Sequence, residues 1–224
     1  MQDSMKAFVA EAIGTFILIF IGAGSICQDE LTGRGLGLLG IAIAHGLALS
    51  IAVSGTMNLS GGHLNPAVTF GFMMTGRMDR RTGISYIVSQ LIGAALGGFF
   101  LRMMFAEHVW QARALGTPDL DPSVTAGAGI FIEAVLTFLL VFAVWATAVD
   151  ERAPKIAGFG IGLMVCADIL MGGALTGASM NPARTFGPAM ASGHWNNHLV
   201  YWIGPLLGGA SAAFFYNGVL LKKR

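Results

Sequence analysis

Two copies of the tripeptide Asn-Pro-Ala stand at Asn65-Pro66-Ala67 and Asn181-Pro182-Ala183, each before a short apolar stretch. Asparagine is a preferred N-cap and proline suits the first helical position, so each tripeptide predicts the start of a helix. The positive end of a helix repels cations, and an asparagine amide can also donate to a water oxygen. Two such helix starts facing one another would form a pore centre that passes neutral molecules. The alternative, that each Asn-Pro merely ends a loop, is weakened by the second copy.

Three charged residues lie in apolar surroundings: Arg184 follows the second tripeptide, and Glu11 and Glu133 interrupt apolar segments. A charge at membrane depth is costly unless it faces water or has a partner. Arg184 could be a charge barrier, or it could form a structural salt bridge with Asp168. The two glutamates could relay protons, or they could accept hydrogen bonds from the backbone.

The residues just before each tripeptide are expected to be non-helical. Backbone of this kind is tolerated at membrane depth where it lines a wet cavity, so we expect these carbonyl groups to line the route. The predicted lining residues are Gly61, Gly62, His63, Leu64, Gly177, Ser179 and Met180.

The composition indicates a membrane protein. Charged residues make up 11% of the 224, and hydrophobic residues make up 54%, whereas soluble domains have roughly 25% charged residues. The net charge of +1 argues against nucleic-acid binding, which needs a concentrated basic face. Cys27, Cys166 and the histidines do not have metal-site spacing, and the sequence predicts no cofactor.

Six apolar segments are long enough to span a bilayer, with predicted bounds 7–27, 36–56, 83–105, 126–148, 156–175 and 198–219. The first is interpreted as a true span rather than a cleavable signal, because a strongly basic leader is missing. The apolar stretches near 65–75 and 181–191 are only about ten residues long, or about 15 Å as helix, which is half a bilayer.

The two halves of the chain repeat each other. Glu11-Ala12 followed by Thr15-Phe16 matches Glu133-Ala134 followed by Thr137-Phe138, and the stretch from Tyr86 resembles the stretch from Tyr201. Three full spans per half give the halves opposite topology, which is typical of proteins with a permeation site at the midplane. We therefore predict one domain, 1–224, with inverted repeats of approximately 1–108 and 123–224.

Lysine and arginine are unevenly distributed between the two sides. The side that holds both termini has nine of them, and the other side has three, namely Arg34, Arg102 and Arg113. Because positive residues favour the cytoplasmic side, both termini are predicted to be cytoplasmic. A plasma (cell inner) membrane location is also predicted.

Nearly the whole chain resembles the aquaporin family. Its two signatures are matched by Ser60-Gly61-Gly62-His63-Leu64-Asn65-Pro66-Ala67-Val68-Thr69 and Ser179-Met180-Asn181-Pro182-Ala183-Arg184-Thr185-Phe186-Gly187-Pro188-Ala189. The resemblance implies an all-α membrane fold of six transmembrane helices and two re-entrant half-helices, assembled in the bilayer as a homotetramer. It also implies that Glu11 and Glu133 support the two re-entrant loops.

The resemblance further implies a narrow filter formed by His45, Ile169, Ala178 and Arg184. This set departs from the usual water-channel pattern, which has Phe in place of His45 and His in place of Ile169, and it resembles plant tonoplast intrinsic proteins. Glycerol facilitators usually have Asp and a basic residue at the positions of Thr185 and Ala189. His45 is expected to offer one donor or acceptor to a passing molecule.

The sequence therefore predicts a passive channel for water and possibly ammonia, hydrogen peroxide or urea, and no enzyme. A glycerol-type facilitator and, less favoured, a coupled secondary transporter stay open as alternatives. Some ammonia-conducting relatives add a histidine from the third loop. Here the matching place reads Asp121-Pro122-Ser123, and His108 is out of register.

Overall fold

The computed structural model describes residues 2–154 and 156–221, and this part of the chain folds into a bundle of long helices. The long helices are α1 Gln2–Leu31, α2 Gly37–Ser60, α4 Arg80–Met104, α6 Ala126–Val144, α7 Ala157–Thr176 and α9 Val200–Phe215. A π-turn extends α6 through Trp145–Val149, and another extends α9 through Tyr216–Leu220. Within the described residues, six helices are long and apolar enough to cross a membrane, which confirms the six predicted spans.

Two shorter helices, α3 Pro66–Met74 and α8 Pro182–Ser192, occupy the predicted half-length segments. Nine and eleven residues of helix are about 14 and 17 Å long, so neither could cross a bilayer by itself. A small helix, α5 Glu107–Ala112, and a left-handed turn at Ala114–Gly116 lie in the connection between the halves.

The helix contacts follow a twofold pattern. Helix α1 packs on α2 and α4 as α6 packs on α7 and α9, and α8 packs on α4 as α3 packs on α9. Helices α2 and α7, which correspond to each other in the two halves, also pack together. Each half-helix therefore lies against the last long helix of the opposite half, which ties the two halves into one bundle.

Glycines allow the closest helix crossings. A Cβ on Gly93 of α4 would collide with the carbonyl oxygen of Ala12, and a Cβ on Gly208 of α9 would collide with that of Ala134. Both colliding atoms are backbone and cannot move cheaply. Small residues at such crossings let membrane helices approach closely.

Candidate pore and constriction

Asn65 and Asn181 cap the two half-helices. Asn65 Oδ1 accepts a hydrogen bond from the Ala67 N–H at 2.8 Å, and Asn181 Oδ1 accepts one from the Ala183 N–H at 2.9 Å. Proline follows each asparagine at the first helical position, where a missing N–H leaves no bond unmade. Both tripeptides thus begin helices, as their sequence predicts.

The same two asparagines also bond across the halves. Asn65 Nδ2 donates to the Met180 carbonyl oxygen at 2.9 Å, and Asn181 Nδ2 donates to the Leu64 carbonyl oxygen at 2.9 Å. The N-termini of α3 and α8 therefore meet. An amide nitrogen has two hydrogens, so one N–H of each asparagine is left for a molecule in the cavity that both residues line.

The loops before the asparagines use left-handed backbone at matching positions. Leu64 has φ 51° and Met180 has φ 54°, while Gly62 at 63° corresponds to Ala178 at 44°. Residues other than glycine adopt this region at a cost of about 1–3 kcal/mol each, so the surrounding contacts must hold the loops in place.

Two buried glutamates provide those contacts. Glu11 accepts the backbone N–H groups of His63 at 2.9 Å and Leu64 at 2.7 Å. Glu133 accepts those of Ser179 at 2.9 Å and Met180 at 2.7 Å. Both glutamates are fully buried. This bonding favours the backbone-acceptor interpretation over a proton relay.

Hydroxyl groups complete each carboxylate shell, and the sequence analysis missed them. Ser60 donates to Glu11 at 2.6 Å, and Thr176 donates to Glu133 at 2.7 Å. The Tyr86 hydroxyl donates to the Ser60 carbonyl oxygen, and the Tyr201 hydroxyl donates to that of Thr176, both at 2.8 Å. The repeat alignment pairs the two tyrosines, and this signal could have revealed their shared role.

One partner breaks the symmetry. Gln90 of α4 donates to Glu11 Oε2 at 2.7 Å and to the Thr69 hydroxyl at 3.0 Å. The position four residues after Tyr201 is Pro205, which has no side-chain donor. Glu11 therefore has one more side-chain partner than Glu133 within the described chain.

Arg184 is buried and held by two acceptors. Its Nη1 donates to the Gly116 carbonyl oxygen at 2.7 Å, and its Nη2 lies 3.3 Å from His45 Nε2. Among the residues that the structure describes, Arg184 forms no salt bridge, so the alternative of an ion pair with Asp168 is wrong. The guanidinium keeps further N–H donors beyond these two.

The Gly116 contact was not predicted from the sequence. Ala114, Leu115 and Gly116 are all left-handed, with φ of 43°, 53° and 72°. A Cβ on Gly116 would lie 2.9 Å from the Ala23 carbonyl oxygen of α1. The turn therefore fits tightly against α1, where its carbonyl group meets Arg184.

His45 has protein partners at both ring nitrogens. Nδ1 lies 2.9 Å from the Ile41 carbonyl oxygen, and Nε2 faces Arg184. The expectation that His45 offers a donor or acceptor to a passing molecule is therefore not met, because neither nitrogen is free. The ring can still narrow the passage by its size, and its contact with Nη2 helps to position Arg184.

Three cavities follow one another through the bundle. The middle one, here called the central cavity, is lined by Asn65 and Asn181. A second cavity, here called the Asp119 mouth, is lined by Asp119, Gly116 and Gly177, among others. It shares His45, Ile169 and Arg184 with the central cavity. The Arg77 mouth, which includes Arg77 and Gly61, shares Gly62 and His63 with the central cavity. The residues that line two neighbouring cavities at once mark the places where the passage formed by the three cavities narrows.

The predicted filter residues thus come together. His45, Ile169 and Arg184 separate the Asp119 mouth from the central cavity, and Ala178 lines the central cavity beside them. The central cavity also has an apolar wall that the sequence analysis did not identify, formed by Leu18, Leu49, Val53, Val68, Leu140, Val144, Ile161 and Val165. Apolar residues on helical faces look alike in sequence whether they pack inside a bundle or line a cavity.

Asp168 lies one residue from the filter but is only 2% exposed. Its Oδ2 atom has no hydrogen-bond partner in the described structure. Its charge is repelled by Glu133. The buried carboxyl group is thus poorly compensated.

The connection between the halves is bonded to the loop after α8. Asp119 accepts hydrogen bonds from His194 Nε2 at 2.7 Å and from Asn197 Nδ2 at 2.8 Å. Partial burial of Asp119 opposes its ionisation, but these bonds and one from the Leu120 N–H outweigh that effect and lower its pKa. His108 is exposed on α5 and does not line the Asp119 mouth.

The opposite end of the bundle is tied by Asp150. Its carboxylate accepts hydrogen bonds from the Arg152 side chain at 2.6 and 2.8 Å and from the Tyr216 hydroxyl at 3.2 Å. The Arg152 bonds lower the pKa of Asp150. Arg77 donates two bonds to Asn217, so the π-turn that extends α9 is held beside the Arg77 mouth.

The described residues contain no cluster of three or more His, Cys, Asp or Glu side chains that could hold a metal ion. The polar side chains of the central cavity are instead the amides of Asn65 and Asn181, the imidazole rings of His45 and His63, the Ser179 hydroxyl and the Arg184 guanidinium group. Such groups can bind and orient small polar molecules without forming a covalent intermediate.

Comparisons with known proteins match the whole architecture. A family model described as major intrinsic protein matches residues 1–216. A probable TIP-type aquaporin from Medicago truncatula is 47% identical over 228 residues, covering 98% of this chain and 89% of that protein. Aquaporin TIP2-3 from Zea mays is 44% identical, covering 97% of this chain and 89% of that protein. The chain belongs to the major intrinsic protein family, which includes the aquaporins.

A solved structure agrees on the fold. The crystal structure of the aquaglyceroporin from Plasmodium falciparum superposes with a TM-score of 0.86 at 25% identity, covering 97% of both chains. The predicted family and all-α membrane fold are therefore confirmed. The TIP-type names of the relatives do not fit the predicted plasma membrane location, although an integral membrane protein is supported.

Proposed function

We propose that this chain is a passive channel for water and for other small uncharged solutes, such as ammonia, hydrogen peroxide or urea, and that it excludes ions and protons. The observation that carries the proposal is the row of three cavities, which runs past Asn65 and Asn181 and then past Arg184. The names of the TIP-type relatives support the same function.

Cation exclusion follows from the charges along the route. The positive ends of α3 and α8 meet at the centre, where Asn65 and Asn181 bond across the halves. Arg184 adds a full positive charge where the Asp119 mouth meets the central cavity. A cation would meet two regions of positive potential, and a neutral molecule would meet fixed hydrogen-bond donors.

The filter residues favour a channel broader than one strict for water. Ile169 and Ala178 are apolar, and His45 is the one aromatic ring in the proposed filter. Because both His45 nitrogens are occupied, Arg184 and backbone groups are the hydrogen-bonding elements at the constriction. A solute therefore need not match the hydrogen-bonding pattern of water, and ammonia or hydrogen peroxide should pass before urea.

A glycerol-type facilitator is the nearest alternative, and the aquaglyceroporin fold supports its consideration. Thr185 disfavours it, since glycerol facilitators usually have Asp at this position. Ala189 disfavours it as well, since glycerol facilitators usually have a basic residue there. A coupled transporter would need ionisable coupling groups at the centre, where this chain has two asparagines.

The setting of the channel is part of the proposal. We infer one domain with two inverted repeats, a homotetramer in the lipid bilayer, both termini in the cytoplasm, no cofactor and no catalytic activity. Arg77 donates to Asn217 and Arg152 donates to the Leu220 carbonyl oxygen, so both basic side chains lie beside the C-terminal end of α9. Positive residues gathered there support a cytoplasmic position for this end of the bundle. The mass of the detergent-solubilised protein and protease access in oriented vesicles test the assembly and the orientation.

Stopped-flow light scattering on proteoliposomes tests the function itself. Water permeability should rise well above that of protein-free vesicles, glycerol should pass poorly, and an imposed ion gradient should leave solute flux unchanged. The double variant His45→Phe, Ile169→His should become selective for water. No added water permeability would refute the channel, and flux that follows the ion gradient would support the transporter.

A further inference from the structure

The orientation of the His45 ring is determined by its bonds. The Ile41 carbonyl oxygen can only accept, so the Nδ1 atom 2.9 Å away carries the ring proton. Nε2 then has a lone pair that accepts from Arg184 Nη2 at 3.3 Å. One tautomer satisfies both contacts, and together they define the plane of the ring.

Helix α1 also lies against the His45 ring. Gly22 is buried there, and a Cβ at this position would lie 2.6 Å from Cδ2 of His45, 2.7 Å from Nε2 and 3.0 Å from Cγ. Real Cβ atoms do not approach so closely. Because the ring is rigid and bonded at both nitrogens, it could not yield without weakening a bond.

We propose that Gly22 is a positioning residue of the constriction: because it has no side chain, the His45 ring can lie back against α1 while bonded to Ile41 and Arg184. This inference rests on the proposed channel function and extends it. Gly22 lies outside the four filter residues, yet it would set how far one of them extends into the route. A side chain there would push the ring away from α1, toward the route.

The glycine two residues further along provides a matched control. A Cβ on Gly24 would lie 3.0 Å from Cδ2 of Leu101, the flexible end of a side chain that can move by a few tenths of an ångström. Gly22→Ala and Gly24→Ala add the same methyl group at two buried positions of the same helix. They differ in whether that group meets His45.

The test measures water and hydrogen peroxide flux in proteoliposomes for both variants, each in the parent chain and with His45→Ala. Gly22→Ala should lower hydrogen peroxide flux several-fold and water flux less, whereas Gly24→Ala should leave both near the parent values. With His45→Ala, the effect of Gly22→Ala should disappear. An equal loss in both backgrounds would mean that Gly22 serves helix packing alone, which overturns the proposal.

Ring ¹⁵N chemical shifts give a readout independent of transport, with the His45 signals identified by their loss in His45→Ala. Gly22→Ala should shift these signals and Gly24→Ala should not; unchanged signals overturn the proposal. Shifted signals with unchanged flux would also overturn it, since the ring position would not control passage. If Gly22→Ala fails to fold, adding His45→Ala should restore folding, and failure to do so counts against the ring clash. A parent chain without flux would refute the channel, while the shifts would still report on Gly22.

Discussion

The side-chain nitrogen of Asn65 lies 2.9 Å from the carbonyl oxygen of Met180, so the cap of one half-helix also braces the loop before the other. Asn181 makes the reciprocal bond to Leu64. Each asparagine therefore acts on both halves of the chain. A substitution of either asparagine should therefore perturb the N-terminus of the opposite half-helix as well as that of its own.

Asn65→Asp should separate the capping role from the bracing role. Aspartate keeps an oxygen for the Ala67 N–H, but it loses the donor to Met180 and adds a negative charge to the route. We expect a loss of about 1–3 kcal/mol in unfolding free energy and a measurable cation leak. Asn58→Asp, at an exposed position of α2, is the control. A stable variant that conducts water and shows no cation leak would contradict the role given to Asn65.

Arg184→Val should preserve water flux and broaden selectivity. The change removes the charge barrier and frees the Gly116 carbonyl and His45 Nε2. Larger neutral solutes, and some cations, should then cross in vesicle flux assays. Arg81→Val, at an exposed position of α4, should change nothing. Unchanged selectivity in Arg184→Val would assign this residue a purely structural role.

Glu133→Gln distinguishes the two interpretations of the buried glutamates. Glutamine has one acceptor oxygen, and its amide nitrogen would face the N–H of Met180 or Ser179. A buried donor without a partner costs about 1–3 kcal/mol, so the variant should unfold at a lower temperature than the parent. Its solute flux should keep the pH dependence of the parent. Exposed Glu107→Gln serves as the control. A proton relay would instead predict normal stability with altered proton-coupled flux.

Asp168→Asn should stabilise the protein or leave its stability unchanged. Oδ2 of Asp168 has no hydrogen-bond partner in the described structure, and an amide is less costly to bury than a carboxylate. The variant should also keep its selectivity, since Asp168 is not paired with Arg184. A clear drop in the unfolding midpoint would reveal a partner that the Asp168 carboxyl group needs.

Asp119→Asn should lower stability at neutral pH but not at acid pH. The pKa of Asp119 is lowered in the folded protein. The ionised carboxylate therefore stabilises the fold at pH values above the ordinary aspartate pKa of about 4. That contribution is lost as the pH falls through the lowered pKa. The gap in unfolding midpoint between the parent and Asp119→Asn should therefore shrink from pH 7 toward pH 3. A gap independent of pH would show that the ionised form is not what stabilises this contact.

Much of the architecture could be predicted because its causes are local. Asparagine before proline caps a helix through atoms two residues away, as Asn65 and Ala67 show. The length of an apolar segment compared with the bilayer separates six spans from two half-helices. The pairing of Tyr86 with Tyr201 was also visible in the sequence, although the sequence did not show that each hydroxyl holds a re-entrant loop.

The partners of the constriction depended on the tertiary structure. Arg184 meets the Gly116 carbonyl group across 68 residues of chain and His45 across 139. Every residue has a carbonyl group, so no residue type indicates which one a guanidinium will meet. The left-handed turn at Ala114–Gly116 and its packing against α1 decide that Gly116 is the acceptor. The sequence determined which groups could select among solutes, and the packing of distant helices decided how those groups are held.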